Sequence, residues 1–151
     1  MSHLLGLLGF AVLAIAAGVS FVVQQAVNAD LKAALDSAAW AGFVSYLGGT
    51  LCMLMLTLVL RDAVPSATVV ARSNWWAWTG GVFGAVYIAI SILLLPRLGA
   101  ATFVALLVAG QMLASLAFDH YGLLGLTQQS VTPSRLLGAA LLVGGVILVR
   151  L

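Results

Sequence analysis

The chain has 151 residues, of which 64% are hydrophobic and 7% are charged, and its mean hydropathy is +1.20. A soluble domain carries about 25% charged residues, so this composition excludes a soluble globular protein and predicts a single transmembrane domain over residues 1–151. The net charge of +2 comes without a basic cluster, which argues against nucleic-acid binding, and a lone cysteine excludes a disulfide framework.

The first apolar run predicts a transmembrane helix over residues 4–29, long enough for a hydrocarbon core of roughly 30 Å. The three residues before it include no Lys or Arg, so we interpret it as a retained span rather than a signal peptide. Near its end, Ser20, Gln24 and Asn28 follow an i, i+4, i+8 spacing, which predicts a polar stripe on one helix face. Polar side chains in a span usually have partners or line a cavity.

Two further spans are predicted over residues 38–60 and 75–95. Asp36 and Ser37 are the N-cap candidates for the first of them, because their side chains can accept hydrogen bonds from the first helical N–H groups. The second should end before Pro96. Three tryptophans at its start are typical of interface anchors: Trp75, Trp76 and Trp78.

A fourth span is predicted over residues 100–118, after a tight turn. Gln111, Ser115 and Asp119 repeat the i, i+4, i+8 spacing, so this helix should carry a second polar stripe that ends in a carboxylate. A carboxylate at a helix C-terminus is unfavourable beside the negative end of the helix dipole. We therefore expect Asp119 to have a partner, either His120 or an arginine.

The fifth predicted helix covers residues 133–150 and starts at Thr132-Pro133, an N-cap followed by an N1 proline. Only 14 uncharged residues separate Arg135 from Arg150. Both arginines must therefore extend outward along the helix if it is to span the bilayer.

Five spans place the termini on opposite sides of the membrane and divide the basic residues equally: Arg61, Arg72 and Arg135 against Lys32, Arg97 and Arg150. The positive-inside rule then selects no orientation. We expect dual topology and an antiparallel homodimer, a ten-helix assembly that resembles an inverted repeat. Alternatively, weaker signals fix one orientation; if the fifth helix does not span, the count becomes four against two.

Several motifs along the chain resemble the YdcZ-like family of bacterial inner-membrane exporters, in the drug/metabolite transporter superfamily. They are Gln24 to Asn28, Phe43-Val44-Ser45-Tyr46, Gly80-Gly81, Gly84-Ala85-Val86-Tyr87, Pro96-Arg97-Leu98-Gly99, Gly110-Gln111 and Asp119-His120-Tyr121-Gly122. The resemblance implies five helices, a multi-pass inner-membrane location, dimerisation and export of a small molecule. The related small multidrug exporters carry a glutamate, but this chain contains none. This difference disfavours proton-coupled export of cationic drugs.

The expected function is a dimeric carrier that moves a small polar or amphipathic solute by alternating access, through a site shared by two protomers. The candidate substrate-binding residues are Ser20, Gln24, Asn28, Gln111, Ser115, Tyr46, Tyr87 and Ser91; helix packing is their alternative role. Asp119 is the candidate coupling residue, with a solvated helix-end charge as its alternative. No catalytic residue, metal site or cofactor is expected. The alternative functions are a non-transporting membrane scaffold or subunit and a translocator of a lipid-linked substrate.

Overall fold

The computed structural model describes the backbone of residues 2–150 and the side chains of residues 6–149, so Met1 and Leu151 lie outside it. All regular structure in this part of the chain is helical. The α-helices are α1 (Ser2–Leu35), α2 (Ala38–Leu60), α3 (Ala67–Arg72), α4 (Gly80–Leu98), α5 (Ala100–Tyr121) and α6 (Pro133–Arg150), with short 3-10 helices at Trp75–Thr79 and Leu123–Gly125.

Four helical segments are long and apolar enough to cross a membrane: Gly6–Leu35, Ala38–Leu60, Trp75–Leu98 and Ala100–Tyr121. They confirm the four longer predicted spans. α6 forms over the bounds predicted for the fifth helix, but its apolar part, Pro133–Val149, is shorter. At 18 residues it is about 27 Å long, so its full crossing stays a prediction.

α1 does not end at Ala29, as predicted, but continues to Leu35. The charged residues Asp30 and Lys32 had indicated a loop. They fit in the helix because its last turns extend past the apolar run, where charged side chains can be solvated. The predicted N-cap of α2 is confirmed at Ser37, whose Oγ accepts a hydrogen bond from the Trp40 N–H at 3.3 Å. Asp36 instead adopts a left-handed conformation with φ +50°, which aspartate tolerates.

The third predicted span begins differently from the expectation. Residues Trp75–Thr79 form a 3-10 helix, and the α-helix starts only at Gly80. The loop before it contains the one-and-a-half-turn helix α3. The indole Nε1 of Trp78 donates to the Ser73 Oγ at 2.7 Å, and Trp75 and Trp78 are largely exposed. This exposure suits interface anchors.

Two helix ends also lie beyond their predicted positions. α4 includes Pro96 and ends at Leu98, so the helix continues for only two residues beyond the proline, which removes one i→i−4 hydrogen bond. The chain then turns at Gly99, which has φ +78°. α5 continues past Phe118 to Tyr121 and ends at the left-handed Gly122. Asp119 therefore belongs to the last turn of α5.

The contacts divide the chain into two units, residues 1–96 and 97–151. In the first unit, Ala41 of α2 packs with Ile88 and Ile92 of α4 to form a small core, and four partly buried residues surround it: Leu31, Ala38, Tyr46 and Tyr87. In the second unit, α5 packs along α6. The core of the first unit holds together the helices that carry the candidate site.

Candidate functional site

A cavity of about 580 Å³ lies among α1, α2 and α4 in the first unit. This volume is in the range of small-molecule sites. Its polar groups come mainly from Gln24 of α1 and from Ser45 and Thr50 of α2, and the rest of its wall is mostly apolar. The lining residues are Gln24, Ser45, Tyr46, Gly49, Thr50, Cys52, Met53, Tyr87 and Ile88. The structure thus brings together three of the predicted site residues, Gln24, Tyr46 and Tyr87.

Tyr46 reaches from α2 to the backbone of α4 at Gly84. A Cβ placed on Gly84 would overlap the phenol oxygen of Tyr46 and would lie 3.3 Å from its Cζ atom. Only glycine permits this approach. Tyr46 also lines a second cavity of about 300 Å³ between α2 and α4, so its ring forms part of the wall of both cavities.

Tyr87 joins the cavity to α1. Its ring stacks on Phe21 with a centroid distance of 5.2 Å and an interplanar angle of 26°. One turn further along α4, Ser91 is fully buried, and its Oγ donates to the Tyr87 carbonyl at 2.8 Å. This bond satisfies the Ser91 hydroxyl within its own helix. Ser91 is not among the residues that line the cavity.

The residues of the predicted polar stripe on α1 lie in different environments. Ser20 and Gln24 are exposed and Asn28 is buried. The structure also buries Gln25, which was not among the predicted site residues; it is 1% exposed, and Asn28 is 3% exposed. Each step of four residues turns by about 40° around a helix, so Ser20 and Asn28 are separated by about 80° and only Asn28 reaches the buried face. Gln25 instead shares a face with Phe21 and Asn28, at spacings of four and three.

The buried amides of α1 have no hydrogen-bond partner among the described atoms. The unpartnered atoms are Nε2 and Oε1 of Gln25 and Nδ2 of Asn28, and the hydroxyl of Tyr87 is in the same condition. Buried polar groups in proteins nearly always have a partner. These three residues are therefore the strongest candidates in the first unit to bind something outside the chain.

The second polar stripe lies on α5, in the other unit. Gln111 and Ser115 are exposed there, and their role in binding stays a prediction. Asp119 has the partner expected for it: its Oδ2 accepts from the Arg135 guanidinium at 2.7 Å. The Asp119 carbonyl also accepts from the Gln129 N–H at 2.7 Å.

His120 adds two hydrogen bonds to the same corner. Its carbonyl accepts from Gln128 Nε2 at 2.8 Å, and its Nδ1 accepts from the Val131 N–H at 3.4 Å. Together with the Asp119–Arg135 ion pair, these bonds fasten the loop between α5 and α6. They give Asp119 a structural role, and its coupling role stays a prediction.

Cys52 is the only cysteine in the chain, and its thiol is free and exposed on the wall of the larger cavity. Among residues 6–149, no three side chains of His, Cys, Asp or Glu lie close enough together to hold a metal ion. Cys52 is thus a unique chemical reporter of the cavity.

Comparison with known proteins identifies the family. The model of the family described as "Putative inner membrane exporter, YdcZ" matches residues 9–148. The chain belongs to this family. The "Inner membrane protein YdcZ" of Escherichia coli (strain K12) is 27% identical over 135 residues, which cover 89% of this chain and 90% of that protein. No solved structure matches the chain.

Membership of the YdcZ family confirms the resemblance found in the sequence. With several helices long enough to span a bilayer, it establishes a multi-pass protein of the inner membrane. The family is one of membrane exporters and is not an enzyme family.

Proposed function

We propose that this YdcZ-family protein is a small dimeric exporter that moves a small polar or amphipathic solute by alternating access. The observation that carries the proposal is the cavity of about 580 Å³ among α1, α2 and α4. It lies within segments apolar enough to cross the membrane, yet an amide and four hydroxyl-bearing side chains line it. A span that served only as an anchor would need none of these groups.

The lining of the cavity suits an amphipathic solute. Gln24 offers a carboxamide that both donates and accepts hydrogen bonds, while Tyr46 and Tyr87 offer aromatic faces. The Thr50 hydroxyl already donates to the Tyr46 carbonyl at 2.9 Å, so Gln24 and Ser45 are the more available polar groups. A solute with one polar end and an apolar body matches this distribution.

Dimerisation is supported by the unpacked lengths of two helices. Every described residue of α1 from Gly6 to Ser20, and every residue of α2 from Leu51 to Leu60, is exposed. Lipid can cover these surfaces, and so can a second copy. With α6 as a fifth span, the basic residues divide equally between the two sides, which favours insertion in both orientations; the second copy we propose is therefore antiparallel and contributes to a shared site.

Orientation reporters at the C-terminus test the antiparallel arrangement. Fusions to a reporter active only in the cytoplasm and to one active only in the periplasm should both give signal from the same chain. Signal from one fusion alone would rule out the antiparallel dimer, but it would be compatible with transport by a parallel dimer.

Flux through reconstituted protein tests transport itself. Proteoliposomes are loaded with a panel of neutral, anionic and cationic amphipathic fluorophores, and efflux is compared with protein-free liposomes. Gln24→Leu should lower efflux at least about tenfold, because it removes a polar contact worth about 1.4 kcal/mol or more. Gln129→Leu, on an exposed loop, is the matched control and should retain the wild-type rate. Wild-type efflux from Gln24→Leu would exclude the cavity as the path; no efflux of any solute from a stable dimer would favour a membrane scaffold.

A further inference from the structure

One face of α1 carries an aromatic residue, two amides and a lysine. Phe21, Gln25, Asn28 and Lys32 follow spacings of four, three and four, which place them on one side of the helix. The ring of Phe21 stacks on Tyr87, and Tyr87 lines the larger cavity. Gln24, the neighbour of Gln25, lines the same cavity. None of the four residues lines the cavity itself; the face adjoins it through the Phe21–Tyr87 stack and the neighbouring Gln24.

This face is rich in hydrogen-bond donors that lack acceptors. Gln25 and Asn28 are more than nine-tenths buried, and neither amide nitrogen has a partner among the described atoms. Lys32, one turn further along, is partly buried. In the described part of the chain no carboxylate forms an ion pair with Lys32; the acid that pairs with a basic side chain there is Asp119, bound to Arg135.

We propose that Gln25, Asn28 and Lys32 bind the carboxylate of an amphipathic organic anion, whose apolar body occupies the adjoining cavity. The inference rests on the proposed transport function and narrows its substrate class. Each carboxamide supplies two N–H donors and the ammonium supplies three, while a carboxylate only accepts hydrogen bonds. An organic cation would be repelled by Lys32, and a neutral solute would gain no attraction from its charge.

The helix dipole does not oppose this site strongly. The negative end of the α1 dipole acts mainly within the last turn, and amounts to about half an elementary charge. Gln25 and Asn28 lie about two turns or more before the helix end at Leu35. The full positive charge of Lys32, in the last turn, outweighs the dipole where the two coincide.

Modification of Cys52 reports occupancy of the cavity. N-ethylmaleimide adds to the Cys52 thiol across its carbon–carbon double bond, and the added mass is followed on the intact, purified full-length protein. Three probes share a naphthyl body and carry a polar group of different charge: 2-naphthoate, 2-naphthamide and 2-naphthylmethylammonium. We expect 2-naphthoate to slow the modification at a concentration about tenfold lower than 2-naphthamide, and the ammonium probe to give no protection.

Two charge-removing variants assign the preference to Lys32. Lys32→Gln should abolish the roughly tenfold advantage of 2-naphthoate over 2-naphthamide. Arg97→Gln removes a basic residue that is predicted to lie on the same side of the membrane, so it is matched for any effect on orientation, and it should keep the advantage. A short-chain phosphatidylglycerol is a fourth probe, because a lipid phosphate could be the acceptor instead.

Several results would overturn the inference. They are equal protection by the three naphthyl probes, the same probe preference in Lys32→Gln as in the wild type, and stronger protection by phosphatidylglycerol than by 2-naphthoate. If these occur while solute efflux persists, the proposed export function survives without its anionic substrate. No protection by any probe, together with no efflux, would overturn both.

Discussion

Replacement of Gly84 by alanine should destabilise the protein through a single neighbouring side chain, that of Tyr46. The added Cβ would overlap the phenol oxygen of Tyr46 and would lie 3.3 Å from Cζ and 3.7 Å from Cε1. The oxygen is fixed to a rigid ring, so the whole side chain has to move. Overpacking of this kind costs about 1–3 kcal/mol.

The same structure predicts that Tyr46→Phe rescues this defect. Without the phenol oxygen, the atom nearest to the new Cβ is Cζ at 3.3 Å, which a shift of a few tenths of an ångström relieves. The cost of Gly84→Ala in the Tyr46→Phe background should therefore fall below about 1 kcal/mol. The coupling between the two positions should then be about 1–2 kcal/mol.

Unfolding of the wild type, the two single variants and the double variant in mixed detergent micelles, with increasing SDS, measures these free energies. Gly81→Ala is the matched control, because a Cβ there would meet no atom within 4 Å beyond its chain neighbours and the backbone of its own helix, and alanine is the better helix former. It should be neutral or stabilising. Equal destabilisation by Gly84→Ala in the wild-type and Tyr46→Phe backgrounds would refute the contact as the cause.

Three other predictions concern charge. Asp119→Asn should lower the free energy of unfolding by about 1–2 kcal/mol, less than for a fully buried pair because both side chains are about one-third exposed. Unfolding in SDS measures this loss. The same loss in an Arg135→Gln background would contradict the ion pair as its cause. Gln25→Glu places a carboxylate on the proposed anion site, so Cys52 modification should become protected by the ammonium probe in preference to 2-naphthoate; an unaltered order would count against the site. Ser130→Lys adds a fourth basic residue to the side assigned to Arg135 and should concentrate C-terminal reporter signal in the periplasm, whereas an unchanged distribution would show that charge does not set orientation.

Local chemistry made several helix ends predictable. Ser37 and Thr132-Pro133 start helices because a side-chain oxygen or a fixed φ angle suffices for that role, and both starts are confirmed. The end of α1 was not predictable in the same way. Asp30 and Lys32 suggested a loop, but charged residues are compatible with a helix that has passed beyond the apolar region.

The site was predictable in composition more than in arrangement. Gln24, Tyr46 and Tyr87 were expected and do line one cavity. Gln25 was missed because polarity alone cannot tell which of two adjacent glutamines a neighbouring helix will cover. The arginine partner of Asp119 was expected as a type, but Arg135 lies sixteen residues away in sequence, and only the folded loop brings them together.

The Asp119–Arg135 pair also matters while the protein is being made. α5 leaves the ribosome before α6, so its terminal carboxylate has no counter-charge until residue 135 has emerged. α6, with an arginine in its first turn and a short apolar stretch, is a weak insertion signal by itself. Because the ion pair neutralises both charges, we expect the two helices to enter the bilayer as one hairpin.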